Sequence, residues 1–180
     1  MKIFGIDPGS ERTGYGCIEV TGSRHHLVIC GSISAPARST FPEKLKHIHG
    51  ALAALLAVHR PDCVAVETIF YSRNVRSALK LGEARGIALL AASEAGLRVV
   101  EYAPAEIKRA VVGYGRAEKH QVQQMIKLLL GLDAPPSPHD AADALAVAIC
   151  HINSATGIVA ERAAASKPSS TLRSWRDYRP

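Results

Sequence analysis

Two short apolar runs, KIFGID at residues 2–7 and CVAVE at residues 63–67, constrain the fold more than any other feature of the chain. Each is apolar at nearly every position, is too short for a helix that buries one face, and ends on an acid. A run of this kind suits a strand covered on both faces, as in sheets with helical layers above and below. A third run, RVVEY at 98–102, has the same length. Any architecture must therefore supply helices for two faces of a sheet.

The order of the remaining segments narrows the choice. Residues 2–7, 13–20 and 26–34 read as three successive strands, with Thr21-Gly22-Ser23 as the hairpin turn between the second and third. Leu45, Ile48, Leu52, Leu55 and Leu56 recur at helical spacing from Glu43 to Arg60, and Pro61 closes that helix. After the strand 63–67 a long helix spans about Ser72 to Ala95, with Gly96 as its cap, and further helices cover about 104–112, 118–130 and 138–154. Three strands in a meander followed by alternating strands and helices predict an α/β fold, a mixed five-stranded sheet flanked by helices in the ribonuclease H-like order. Residues 1–157 form the expected domain. Residues 158–180 are expected to be a basic, disordered tail, and its last twenty positions hold five basic residues against two acids.

Composition bears on partners. Lys and Arg number 22 against 16 acids, a formal charge of +6, and this excess points to an anionic partner such as nucleic acid. Cys17, Cys30, Cys63 and Cys150 stand alone without a Cys-x-x-Cys pair, which argues against a zinc site or a disulfide framework. The chain enters a strand pattern at once, and no apolar run approaches the roughly 18 residues of a membrane span. A cytoplasmic, membrane-free protein is expected.

The acids carry the chemistry. Asp7 and Glu67 fall at the carboxyl ends of strands, the edge where open α/β sheets place their functional crevice. Asp140 and Asp143, in PHDAADALAVAI at 138–149, are three apart and share one helix face beside an apolar seam. Asp-Pro-Gly is ordinary turn chemistry and Asp140 could serve a helix start, so each acid alone has a structural reading. Asp143, in an alanine-rich buried helix, has none that is obvious. Four converging carboxylates would repel and raise one another's pKa. A hard divalent cation such as Mg²⁺ relieves this, and two ions about 3.5–4 Å apart could clamp a phosphodiester.

Basic and aromatic residues surround these positions. Phe70 and Tyr71 adjoin Arg73, Arg76 and Lys80, a grouping that could contact phosphates and stack on a base, or simply close onto the core. Lys108, Arg109, Arg116, Lys119 and His120 flank the Gly113–Gly115 loop, and Lys108 and Lys119 could stabilise charge on a reacting phosphate. On the long helix, Val75, Leu79, Gly82, Gly86 and Leu90 share a face that admits close approach of the sheet or a second helix. Two other classes remain open from these residues. An actin-like ATPase also starts with a strand, an Asp and a glycine turn, but needs a second phosphate loop and a second domain. A non-enzymatic DNA-binding protein accounts for the charge but not for four acids that would repel DNA.

The strings GIDPGSERTGYG, SALKLGEARG, GYGRAEKHQVQ and HDAADALAVAI occur in that order from residue 3 to about 150. Together they resemble the RuvC family of bacterial Holliday-junction resolvases. The resemblance implies a homodimer that cuts two opposite strands of four-way junction DNA symmetrically, using Mg²⁺, two ions per site, with Mn²⁺ as a possible substitute. It also implies that Asp7, Glu67, Asp140 and Asp143 are catalytic metal ligands. Phe70 would match the aromatic that engages junction bases, and Lys108 and Lys119 basic residues near the scissile phosphate; Arg73 and Arg76 are further DNA-binding candidates. The junction-binding and helicase subunits of a branch-migration complex are the implied partners. Thr68, where the family pattern suggests glutamine, and Tyr114 depart from it, which bears on DNA contact and sequence preference.

Overall fold

A computed structural model describes residues 1–68 and 74–165, the side chains of 156–165 excepted. The chain runs β1 (Lys2–Asp7), β2 (Arg12–Thr21), β3 (Arg24–Ser34), α1 (Phe41–His59), β4 (Cys63–Glu67), α2 (Val75–Glu94), β5 (Arg98–Tyr102), α3 (Pro104–Val112), α4 (Lys119–Leu130) and α5 (His139–Ala165). Among the described residues the strands form one sheet in the order β3-β2-β1-β4-β5. β1, β2 and β3 pair antiparallel, and β4 and β5 continue the sheet parallel to β1. This is the mixed five-stranded, ribonuclease H-like arrangement that the element order predicts.

Period-two alternation divides the strands between two cores. Ile3, Ile18, Cys63 and Ala65 face α3, α4 and α5, where Ile107, Ile126, Leu145 and Ile149 cover them. Phe4, Ile6, Cys17, Val64 and Val66 face the other way, onto Ile48, Leu52 and Leu56 of α1 and Ala88, Ala91 and Ala92 of α2. Each fully buried aliphatic side chain here contributes about 1.5–3 kcal/mol of burial free energy. The same alternation settles where the strand-end acids point. Asp7 shares the parity of Ile3 and Gly5, and Glu67 that of Cys63 and Ala65, so both lie on the α5 side of the sheet.

Three helix boundaries differ from the sequence expectation by two residues or more. α1 starts at Phe41 rather than Glu43, because Pro42 sits in the first turn, where its missing N–H costs nothing. Glu43 also accepts a hydrogen bond from the Thr40 backbone N–H at 2.7 Å, which caps that start. α2 starts at Val75 instead of Ser72, with the Asn74 side chain accepting from Ser77 N–H. α5 runs to Ala165, beyond the expected helix end at 154. Its last turns are alanine-rich, and high helix propensity carries the backbone on where amphipathic periodicity has stopped. Among the described residues no helix is long and apolar enough to cross a membrane.

Candidate active site

Three elements deliver the acids to one place. β1 and β4 are adjacent and parallel, with Ile6 paired to Val66, so Asp7 and Glu67 stand side by side at the same sheet edge. α5 crosses above this edge, and its first turns carry Asp140 and Asp143. Asp7, Glu67 and Asp143 line a cleft of about 260 Å³, together with Lys108 and Lys119 and a floor of Ile107, Val122 and Ala146. Asp140 lies in the first turn of α5, where the helix dipole also favours an acid, and its charge still reaches Asp7.

The electrostatics show how closely these groups interact. The Asp7 carboxyl is pushed up to about 8, first by burial, then by the charges of Glu67 and Asp143, by a hydrogen bond with Glu67, and by Asp140. Burial raises the Glu67 carboxyl as well, while its hydrogen bond to Asp7 and the nearby Lys119 and Lys108 pull it down. Asp7 and Glu67 thus titrate as an interacting pair across adjacent strands. Lys119 Nζ donates to Asp143 Oδ2 at 3.1 Å, and that carboxylate holds the lysine's proton more tightly than usual.

Thr13 ties the turn after Asp7 to the next strand. The Gly9 N–H points to Thr13 Oγ1 at 3.4 Å, and the Thr13 hydroxyl donates to Gly9 C=O at 3.1 Å. Thr13 is buried, so this exchange ties the turn to β2. The Gly9 amide is engaged within the protein and is not presented as a phosphate cradle.

The four carboxylates form an all-oxygen donor set, and their mutual repulsion is the kind that a hard divalent cation relieves. They fit such an ion by chemistry. Among the described residues, however, no three His, Cys, Asp or Glu side chains are already gathered into a coordination cluster. A larger cavity of about 540 Å³, lined by Leu56, Arg60, Ala91 and Leu97, lies at the far ends of α1 and α2. Its one acid, Glu94, is paired with His49 at 2.8 Å, so it offers no comparable chemistry.

Of the other expected site residues, Arg76 is exposed on the first turn of α2 and is not part of the cleft lining. Phe70 and Arg73 lie outside the described residues. Residues outside the acids support the site. Thr68 anchors the chain after Glu67, its N–H donating to Tyr102 C=O at 2.8 Å and its hydroxyl to the same oxygen at 3.3 Å. Gly14 and Gly16 in β2 lie directly under α5.

A ribonuclease H-like sheet with acids from two parallel strands and a covering helix, and lysines beside them, defines a hydrolase built to work on phosphate esters. The chain matches the family described as "Crossover junction endodeoxyribonuclease RuvC" over residues 3–151. It is 53% identical to the crossover junction endodeoxyribonuclease RuvC of Heliobacterium modesticaldum over 162 residues, covering 90% of this chain and all of that one. The solved structure of Thermus thermophilus RuvC superposes with a TM-score of 0.80 at 36% identity, covering 87% of this chain and 96% of that one. The same TM-score, at 34% identity and the same coverage, holds for the T. thermophilus RuvC structure in complex with Holliday junction substrate. This chain belongs to the RuvC family of crossover junction endodeoxyribonucleases.

Proposed function

We propose that this protein resolves four-way DNA junctions by paired, symmetric phosphodiester hydrolysis, with Asp7, Glu67, Asp140 and Asp143 as the ligands of Mg²⁺, two ions per site. As a member of its family the chain is an endodeoxyribonuclease acting on such junctions. The observation that carries the residue assignment is the cleft lined by Asp7, Glu67 and Asp143 beside Lys108 and Lys119, where burial and the neighbouring carboxylates oppose ionisation of Asp7. A cleft that makes its own acids hard to ionise is a cleft matched to cationic charge. When bound, a divalent cation polarises the phosphodiester and renders a water molecule nucleophilic.

The chain's own side chains supply the rest. Glu67 and Asp7, on neighbouring strands, fix one side of the site with backbone-limited freedom. Lys108 and Lys119 bring positive charge to the cleft wall, where the developing negative charge on a phosphate would lie. Asp143 holds the Lys119 ammonium at that wall until phosphate competes for it. Phe70 engages junction bases, and Arg73 and Arg76 contact backbone phosphates.

Two equivalent cuts need two equivalent sites, which a C₂ dimer provides. On α2, Val75 is 71% exposed, Leu79 63% and Leu90 47%, so the face with small-residue spacing turns away from the sheet. Gly86 on the same helix has open space where a Cβ would stand. A second copy of this chain is the proposed occupant of that face. The protein works in the cytoplasm with the junction-binding and helicase subunits of a branch-migration complex.

The test is incubation with a synthetic four-way junction and Mg²⁺, scored for symmetric paired nicks against linear duplex. Nicks of equal efficiency on both substrates would remove the junction assignment.

A further inference from the structure

Three glycines in β1 and β2 face the underside of α5, although glycine weakens a strand and is depleted there. Their spacing against the helix gives the reason. A Cβ built on Gly5 would lie 2.0 Å from the Ala144 carbonyl oxygen and 2.9 Å from the Ala148 nitrogen. One on Gly16 would meet Leu145 Cδ2 at 2.6 Å and the Leu145 nitrogen at 3.2 Å. One on Gly14 would lie 2.0 Å from the Asp140 carbonyl oxygen, 2.6 Å from its carbonyl carbon and 3.1 Å from Asp140 Cβ. The helix backbone therefore rests directly on the strand backbone.

Gly14 differs from the other two in what it touches. It lies under the turn that carries Asp140, and in the β1–β2 ladder it is the register partner of Asp7. An obstructing atom in the helix backbone cannot rotate aside as a side-chain tip can. Relieving a 2.0 Å contact to the 3.4 Å of ordinary packing requires the start of α5 to lift by about 1.4 Å, close to one C–C bond length. Asp140 and Asp143 would rise with it, while Asp7 and Glu67, held in the sheet, would stay.

We infer that Gly14 is a positioning residue for metal binding: its missing side chain sets the height of α5 at which Asp140 and Asp143 reach the same cation as Asp7 and Glu67. The inference rests on the reading that these four carboxylates hold a divalent ion. Gly5 and Gly16 seat the body of the helix, and Gly14 sets its acid-bearing end.

The experiment measures Mn²⁺ binding to the full chain by calorimetry without DNA, alongside four-way junction binding in EDTA. The Asp140→Asn variant examines the underlying reading, and undiminished Mn²⁺ binding there would overturn the ligand assignment whatever Gly14 does. Given loss in that variant, Gly14→Ala is expected to weaken Mn²⁺ about 10- to 100-fold, the range for residues that orient metal ligands, with junction binding kept. Ile149→Val, a core change on the same helix, should lower the melting temperature and leave Mn²⁺ affinity alone, separating position from stability. The longer carboxylate in Gly14→Ala/Asp140→Glu should bridge the lift and regain affinity over Gly14→Ala alone. Wild-type Mn²⁺ affinity in Gly14→Ala, or no gain in the double variant, overturns the inference. Should Gly14→Ala not fold, Asp140→Glu with Gly14 intact tests the same height: on a correctly seated helix the longer side chain should overshoot and weaken Mn²⁺ about 10-fold, the low end of that range. An unchanged or tighter Mn²⁺ affinity in Asp140→Glu would then overturn the inference.

Discussion

Asp7→Asn replaces a carboxyl at the end of β1 by a neutral group of the same shape, in a cleft that opposes ionisation at that position. In the unfolded chain this carboxyl loses its proton near 3.8, and in the folded chain it keeps the proton until about 8. Between those pH values the folded state binds more protons than the unfolded state, so stability falls as pH rises. The contribution is fully present below about pH 4, is lost progressively up to about pH 8, and does not change beyond. A separation of about four pH units corresponds to roughly 5–6 kcal/mol at its upper bound, and relaxation around the charge reduces it to about 2–4 kcal/mol. Asparagine imitates the protonated acid at every pH. The variant should therefore match wild type near pH 4 and exceed it by about 2–4 kcal/mol at pH 8.5 in EDTA, or about 5–15 °C in melting temperature for a domain of this size. The assay is thermal or urea unfolding of both proteins across that pH range, with the difference between them plotted. The same variant should lose junction cleavage in Mg²⁺ while keeping junction binding. An Asp7→Asn protein no more stable than wild type at pH 8.5 would refute the electrostatic account of the cleft, and one that cleaves normally would refute the catalytic assignment.

The remaining expectations follow from single contacts. Lys119→Met should lower cleavage about 100-fold through lost charge at the phosphate, yet shift unfolding by under about 1 kcal/mol because its ion pair is exposed; single-turnover kinetics beside denaturation would separate the two, and unchanged turnover would exclude the role. Leu79→Asp, on the outward face of α2, should convert a sedimenting dimer to a monomer with little change in protomer unfolding. A variant that still sediments as a dimer would move the interface elsewhere. Tyr102→Phe removes the hydroxyl 2.8 Å from His151 Nδ1 and should cost about 1–2 kcal/mol in urea unfolding with cleavage unaffected. For Phe70→Ala, weak or unproductive junction engagement is expected with an unchanged fold, and normal junction cleavage would reject the stacking role.

Local patterns in the chain were enough to place most elements. The strands at 2–7, 63–67 and 98–102 coincide with β1, β4 and β5, since short apolar runs bounded by turn residues leave little freedom. Their places at the carboxyl ends of β1 and β4 put Asp7 and Glu67 at one sheet edge. The helix boundaries were less legible, because Pro42 reads as a breaker unless its place in the first turn is known, and α5 continues on propensity alone. The site was legible as residue types at strand ends and on a helix face. Its supporting contacts were not, since Thr13, Gly14 and Thr68 are ordinary residues until the chain folds over them.

By itself, then, the sequence determined which segments become strands and helices, which faces they bury, and which sheet edge Asp7 and Glu67 occupy. These follow from periodicity and from preferences expressed over a few residues. Only the tertiary structure decided that Asp7 resists ionisation beside Glu67, that Lys119 is held by Asp143, and that α5 lies backbone to backbone on the sheet. Protonation and close approach depend on atoms distant in the chain and near in space, and these distances exist only once the two layers have packed.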